Sequence, residues 1–453
     1  MRRILLWSFL VLTLAVKAQN PGSSNKPKET FAFSLEQAIS HAMEHNYEIM
    51  NASRDIQIAE KQKWETTAAG LPQLNGGVDY LHNFSYMAQG ITGGGIFGGE
   101  PGQIVTFAFG TKNSMNAHAT LSQLIFDGSY IVALQSAKTY LKYYENAKMK
   151  QNLDVKEMVI NAYGNVLLTK ESIEILKRNK EVLEKTLFET QETFKNGLIE
   201  EESVEQLQIT LASINSAINN NTRLVEVNYK MLKLLLGIDY SADIKLNDDL
   251  ESLTTKNIDL SLMTSEFNAN NNINFQIVQN LNEQRKLEYK LEKSKYLPSL
   301  GAAMNLGSNS FANDFTFFSS NQKWHYYNAV FVNLNIPIFS SFAKRARVQK
   351  AKIAIAQANT TLTETEQQLN IQFETARSYY EFSIEELGTA KNNLKLAERI
   401  EKKNQIKFTE GLASSIEYNE AQRQLYSSQQ KYLQSMVDVI NRKVALEKLI
   451  SKK

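Results

Sequence analysis

The chain has 453 residues, 22% of them charged and 43% hydrophobic, with a formal net charge of +2. It can bury a large core, is too charged for a polytopic helical membrane protein, and lacks the basic excess of a nucleic-acid binder. It has no cysteine, which removes disulfides, thiolate metal sites, a cysteine nucleophile and a lipidated N-terminal cysteine.

Arg2 and Arg3 precede an apolar run from Ile4 to Val16, and Val16-Lys17-Ala18 offers a cleavage site. The run is about 13 residues, short of the ~20 that a spanning helix needs. Residues 1–18 therefore read as a secretory signal peptide. Its removal takes away Arg2, Arg3 and Lys17 and brings the formal charge to −1. No later segment holds 18 consecutive apolar residues, so any bilayer contact must use strands or surface helices.

Next, His41-Ala42-Met43-Glu44-His45 matches an H-x-x-E-H zinc-hydrolase pattern, with both histidines on one helix face. No third ligand can be nominated, and an exposed helix turn explains the spacing equally well. Leu71-Pro72-Gln73-Leu74 then opens a strand-like stretch, about 71–87, in which Val78, Tyr80, Phe84 and Tyr86 oppose Asp79, Asn83 and Ser85. Gln89 to Gln103 is glycine-rich and reads as an exposed loop. It is no phosphate loop, because no Gly-Lys-Ser/Thr follows. A second strand, about 104–126, sets Met115, Ala117, Ala119 and Leu121 against Ser114, Asn116, His118 and Thr120.

From about Ser129 the pattern turns helical. Val159, Val166, Ile173, Lys180, Leu187 and Phe194 lie seven apart, as do Val155, Ala162, Thr169, Leu176, Leu183 and Thr190. This is coiled-coil spacing. A helix from there to Lys195 is ~100 Å long at 1.5 Å per residue, the length of a spacer or a tunnel wall. Phe194-Lys195-Asn196-Gly197-Leu198 ends it, and a returning helix runs to about residue 236.

The plan then repeats. Leu297-Pro298-Ser299-Leu300 restates the first Leu-Pro strand start, and Phe408-Thr409-Glu410-Gly411-Leu412 restates the helical turn. The strands, about 297–311 and 325–339, set Leu300, Ala302, Met304 and Leu306 against Gly301, Asn305 and Asn309, and Val330, Val332, Leu334, Ile336 and Ile338 against Asn333 and Asn335. The coiled coil from about 341 to 450 carries Leu369, Phe373, Ala376, Tyr380, Ala390 and Ala397 in its seam. No proline lies between Pro101 and Pro298 or after Pro337, as long helices require. The division is a signal peptide (1–18), a first repeat (19–237), a connector (238–260) and a second repeat (261–453). One apolar and one Asn/Ser/Gly-rich strand face suit a water-filled barrel in lipid. Four strands cannot close one, so several copies must pool them.

Over the mature chain the sequence resembles the TolC family of bacterial outer-membrane efflux proteins. The resemblance rests on Leu35-Glu36-Gln37-Ala38-Ile39 with Ala42 and Asn46, the two Leu-Pro strand starts, Ile125-Phe126-Asp127-Gly128, Ile338-Phe339-Ser340-Ser341 and the two Phe-x-x-Gly-Leu turns. It implies a mainly helical homotrimer in which each copy lends four strands to a 12-stranded outer-membrane barrel on a long periplasmic α-barrel. It also implies a periplasmic adaptor and an inner-membrane transporter as partners, with no cofactor and no catalysis. The turns Gly197-Leu198 and Gly411-Leu412 would meet the adaptor. Glu417 and Glu420, six and nine residues past Gly411, would form the pore constriction. Crowded carboxylates there should have raised pKa values. Family members close this end with a polar lock, whereas the matching positions here are Phe408, Ala413 and Ser203, which cannot make the same bonds. The closed state is then expected to be held by packing or other contacts. The alternatives are a periplasmic coiled-coil, adaptor-like interaction protein without a pore and, more remotely, the zinc hydrolase at His41 and His45.

Overall fold

The computed structural model describes residues 30–94, 98 and 100–450; the signal peptide and Gly95 and Gly99 of the glycine-rich loop lie outside the described residues. Strand β1 (Thr30–Phe33) leads into helices α1 (Leu35–His45) and α2 (Tyr47–Ala68). Strands β2 (Gln73–His82), β3 (Met87–Thr92), β4 (Ile104–Phe109) and β5 (Asn113–Asp127) follow, then the long helices α3 (Gly128–Lys195) and α4 (Glu201–Leu236). A connector holds β6 (Asp243–Leu246) and α5 (Leu250–Lys256). The second repeat comprises α6 (Ile273–Ser294), β7 (Ser299–Ala312), β8 (His325–Asn335), α7 (Ala343–Thr409) and α8 (Ser415–Ile450).

The long helices follow from their seams. Val155, Val159, Ala162, Val166, Ile173, Leu176, Leu183 and Leu187 of α3 are buried, as are Leu369, Phe373, Tyr380, Ala390 and Ala397 of α7. Lys180 departs from the seam and pairs with Glu184 at 3.6 Å on the surface. Asp127 caps α3 by accepting hydrogen bonds from the N–H groups of Ser129 and Tyr130, 2.6 and 3.2 Å away.

The largest core sits at mid-height. There Val155 to Leu167 of α3 meets Ala38 and Ala42 of α1, Leu232 and Leu236 of α4, Ile244 to Leu253 of the connector, and Leu433, Val437 and Ile440 of α8. Tyr163, fully buried, donates to the Phe33 carbonyl at 3.0 Å and to Asp248 at 2.9 Å. Asp248 also accepts from the N–H of Leu35 at 2.7 Å. Burial, with the Asp248 bond, pushes the Tyr163 phenol well above its usual pKa. Around this pillar β1 pairs in parallel with β6. The connector is thus a folded belt rather than a plain link.

The strands form one antiparallel sheet in the order β2-β5-β7-β8. The first strand stretch is not continuous: it breaks at residues 83–86, and the returning stretch breaks at 110–112. Asn83 Nδ2 donates to the Thr111 carbonyl at 2.9 Å, and Gly110 has φ 129, a left-handed conformation that favours glycine. Beyond the break, β3 and β4 form their own hairpin at the sheet end remote from the helices. The glycine-rich segment joins them, so the expected loop is the tip of a hairpin extension. β8 ends at Asn335, short of residue 339, because the Ile336-Pro337 pair cannot continue the ladder.

Candidate functional site: a two-faced sheet and paired helical tips

The register assigns every strand residue to a face. On one face lie Leu74, Val78, Leu121, Met304, Leu306, Val330, Val332 and Leu334, all exposed. Val78 and Val332 are each 67% exposed. On the other face lie Asn75, Asp79, Asn116, His118, Thr120, Asn305, Asn309 and Asn333. A sheet in a water-soluble core buries its apolar face; here that face is the bare one. Covering an aliphatic side chain is worth about 1.5–3 kcal/mol, so this row alone favours an apolar surrounding by roughly 10 kcal/mol. The outer edges of β2 and β8 have no partner strand among the described residues. In hydrocarbon each unpaired backbone group costs several kcal/mol.

At the other end of the molecule, α3–α4 and α7–α8 reverse in two matching turns. Gly197 and Gly411 both have φ 72. The N–H of Gly197 reaches the Phe194 carbonyl at 2.8 Å and that of Leu198 the Thr193 carbonyl at 3.2 Å. Gly411 and Leu412 repeat this to Phe408 and Lys407 at 3.0 and 2.7 Å. These are Schellman closures, which need a left-handed residue. They leave Leu198 and Leu412 at 74% and 78% exposure. The tips lie side by side: a cleft of about 580 Å³ is lined by Leu198, Ser203, Phe408, Gly411 and Ala413 together.

The turns differ in their caps. Ser414 and Glu417 form a capping box: the Glu417 carboxylate accepts from the N–H and hydroxyl of Ser414 at 2.8 and 3.0 Å, and the Glu417 N–H reaches Ser414 Oγ at 3.3 Å. The first turn holds Glu200 and Ser203 at the matching positions, the reverse order, and Glu200 makes no side-chain cap bond. The Ser414 N–H and hydroxyl hold the Glu417 carboxyl below its ordinary pKa. Glu420 points to solvent, 3.9 Å from Arg423.

Phe408 packs against the apolar cluster at this end. Its ring stacks on that of Tyr418, centroids 5.3 Å apart and planes 11° apart. Tyr418 is fully buried among Leu183, Leu187, Val204 and Leu207. Gln422 donates to its hydroxyl at 2.7 Å, and burial pushes its pKa up to about 12. Burial also raises the Glu401 carboxyl, against a hydrogen bond from Tyr418. Asn419, buried beside Tyr418, ties α8 to α4 through Thr210 at 3.0 Å and Gln206 at 3.1 Å. No sequence motif points to Tyr418 or Asn419. Their signal is position, since they lie between Glu417 and Glu420 and so face the opposite, buried side of α8.

His41 and His45 stack on each other, with centroids 4.1 Å apart. His41 also packs against Phe31 and Phe33 at 5.9 and 5.2 Å. Burial and the neighbouring His45 lower its pKa. Among the described residues no three histidine or carboxylate groups are placed to share a metal ion.

The model of the outer membrane efflux protein family matches residues 38–238 and 270–452. No curated protein matches in sequence. Among solved structures the chain is similar to CusC, described in connection with transmembrane channel formation, at TM-score 0.72 and 16% identity over 95% of this chain and 96% of that one. It is similar to the Campylobacter jejuni CmeC outer membrane channel at 0.69 and 17%, over 92% and 85%. Vibrio cholerae outer membrane protein VceC follows at 0.68 and 15%, over 92% and 96%.

Proposed function

Because the chain belongs to the outer membrane efflux protein family, and so is an outer-membrane exit duct with a helical periplasmic extension, we propose that it works as a passive homotrimer. Three copies contribute four strands each to a 12-stranded barrel, with β8 of one copy pairing with β2 of the next. The observation that carries this reading is the inverted sheet, apolar side bare and both edges open, continuous through Asp127 with a helix of 68 residues. Lipid covers the first feature, neighbouring copies complete the second, and the helices extend the wall into water.

Glu417 and Glu420 form the constriction, where three copies of each gather negative field. Leu198 and Leu412 at the turns present apolar points to a periplasmic adaptor, which couples the duct to an inner-membrane transporter. That transporter supplies the energy, since the chain carries no phosphate-binding loop. The first test is mass by light scattering in detergent together with conductance in planar bilayers. The reading predicts three chain masses and discrete steps; a detergent-free monomer without conductance would refute it. Leu198→Asp with Leu412→Asp should abolish export in cells while the trimer mass is unchanged.

A further inference from the structure

The polar face of the sheet carries few groups able to hold charge. Among its four rows the described residues able to ionise near neutral pH are Asp79 on β2, His118 and, at the helix end where it caps α3, Asp127 on β5, and His325 on β8. Two of these touch. His118 Nδ1 lies 3.4 Å from Asp79 Oδ2 and 3.4 Å from Asn116 Nδ2. Asn116 Oδ1 in turn accepts from the Tyr327 hydroxyl at 3.0 Å. One chain of polar contacts thus crosses the sheet from β8 to β2.

The backbone is shaped to seat this chain. His118 is flanked in register by Gly77 and Gly307. A Cβ on Gly77 would fall 2.8 Å from His118 Cε1, and one on Gly307 would fall 2.4 Å from Tyr327 Cζ. Both rings therefore lie flat over glycines against the sheet, the way aromatic rings shield strand glycines. A ring lying flat keeps its nitrogens at the wall beside Asp79 rather than in mid-channel.

Nδ1 of His118 faces two neighbours with opposite demands. The Asn116 amide N–H can only donate, which suits an unprotonated Nδ1. The Asp79 carboxylate can only accept, which suits Nδ1–H. Histidine is the side chain that changes charge between pH 5 and 8. We propose that the Asp79–His118 pair is a selectivity girdle inside the barrel, cation-favouring when His118 is neutral and electrically cancelled when His118 is protonated. With His118 neutral, Asp79 leaves one uncompensated carboxylate per copy, three around the wall. With His118 protonated, Nδ1–H turns to Asp79 and the ring of charge is neutralised. The groups facing His118 from β7 are Asn305, Gly307 and Asn309, none charged; β8 supplies Tyr327, with His325 one pair further along opposite Asn309.

The inference rests on the trimeric barrel proposed above. The test is the reversal potential of the purified trimer in planar bilayers under a tenfold KCl gradient, at pH 7.5 and pH 5.0. Wild type should be cation-selective at pH 7.5 and lose at least about half of its permeability ratio at pH 5.0. His118→Gln should stay cation-selective at both values, and Asp79→Asn should lower selectivity at pH 7.5 and abolish the pH difference. A pH difference that survives His118→Gln, or that disappears in His325→Gln instead, overturns the girdle. Absence of any conductance overturns the duct itself, a distinguishable failure.

Discussion

Phe408→Ala tests how the tip is held. Phe408 is half-buried and stacks in parallel on Tyr418, which is itself sealed by α3 and α4. Full truncation of a core phenylalanine costs about 3–5 kcal/mol. Half burial scales that to about 2 kcal/mol, of which the aromatic pair supplies about 0.5–1.5. At 1.4 kcal/mol per decade this is a roughly 30-fold rise in local opening. Hydrogen exchange should show it as faster amides over residues 403–418, with residues 155–166 at mid-height unchanged. Conductance in planar bilayers should rise in parallel, and Phe408→Leu should recover most of both. Unchanged exchange at the tip, or faster exchange with conductance at the wild-type level, would mean that the Phe408–Tyr418 stack does not keep this end shut.

Other outcomes follow from single contacts. Ser414→Ala removes one half of the capping box and should cost about 1 kcal/mol, read as faster exchange in the first turn of α8; the double change Glu200→Ser, Ser203→Glu should install the same box on α4 and slow exchange there. Tyr163→Phe removes one of two donors from the Phe33 carbonyl and from Asp248, which keep the N–H groups of Asn247 and Leu35, and should lower stability by about 1 kcal/mol in denaturant titrations. Burial lifts the Asp154 carboxyl, but hydrogen bonds from Lys150 and Lys448, both at 2.6 Å, outweigh it and hold its pKa below the usual value. A folded pKa below the unfolded one gives stability that is present above about pH 4 and lost as pH falls through the folded value. Lys448→Met should therefore flatten the fall in Tm between pH 5 and 3; an unchanged slope would assign acid sensitivity elsewhere.

Much of this architecture can be read from local pattern. Val155 to Leu187 announce the α3 seam because a period near 3.5 leaves one stripe to bury, and Gly197 and Gly411 mark reversals because only their backbone turns left-handed without strain. The alternation of Val330 and Val332 with Phe331 and Asn333 is less decisive, since it is the same whether lipid or protein covers the apolar row; exposure in the folded chain decides. The pairing of Thr30–Phe33 with Asp243–Leu246 has no local trace: each strand is four residues long and its partner lies 213 positions away. The break after His82 is equally hidden, because Asn83-Phe84-Ser85-Tyr86 keeps the alternation of a continuous strand. At the tip, Ser414-x-x-Glu417 is a legible capping signature. A role for Glu417 as a pore residue and its role as a cap draw on the same carboxylate, and the fold shows the cap.

The parallel pairing at mid-height also fixes an order of events. A polypeptide threaded out of the cell N-terminus first presents Thr30 to Phe33 early, yet their partner Asp243 to Leu246 and the carboxylate of Asp248 emerge more than 200 residues later. Until then the Leu35 amide lacks its acceptor and Tyr163 one of its two, and the waist of the first half stays unfastened. The waist can therefore close only after the central belt has followed the first repeat.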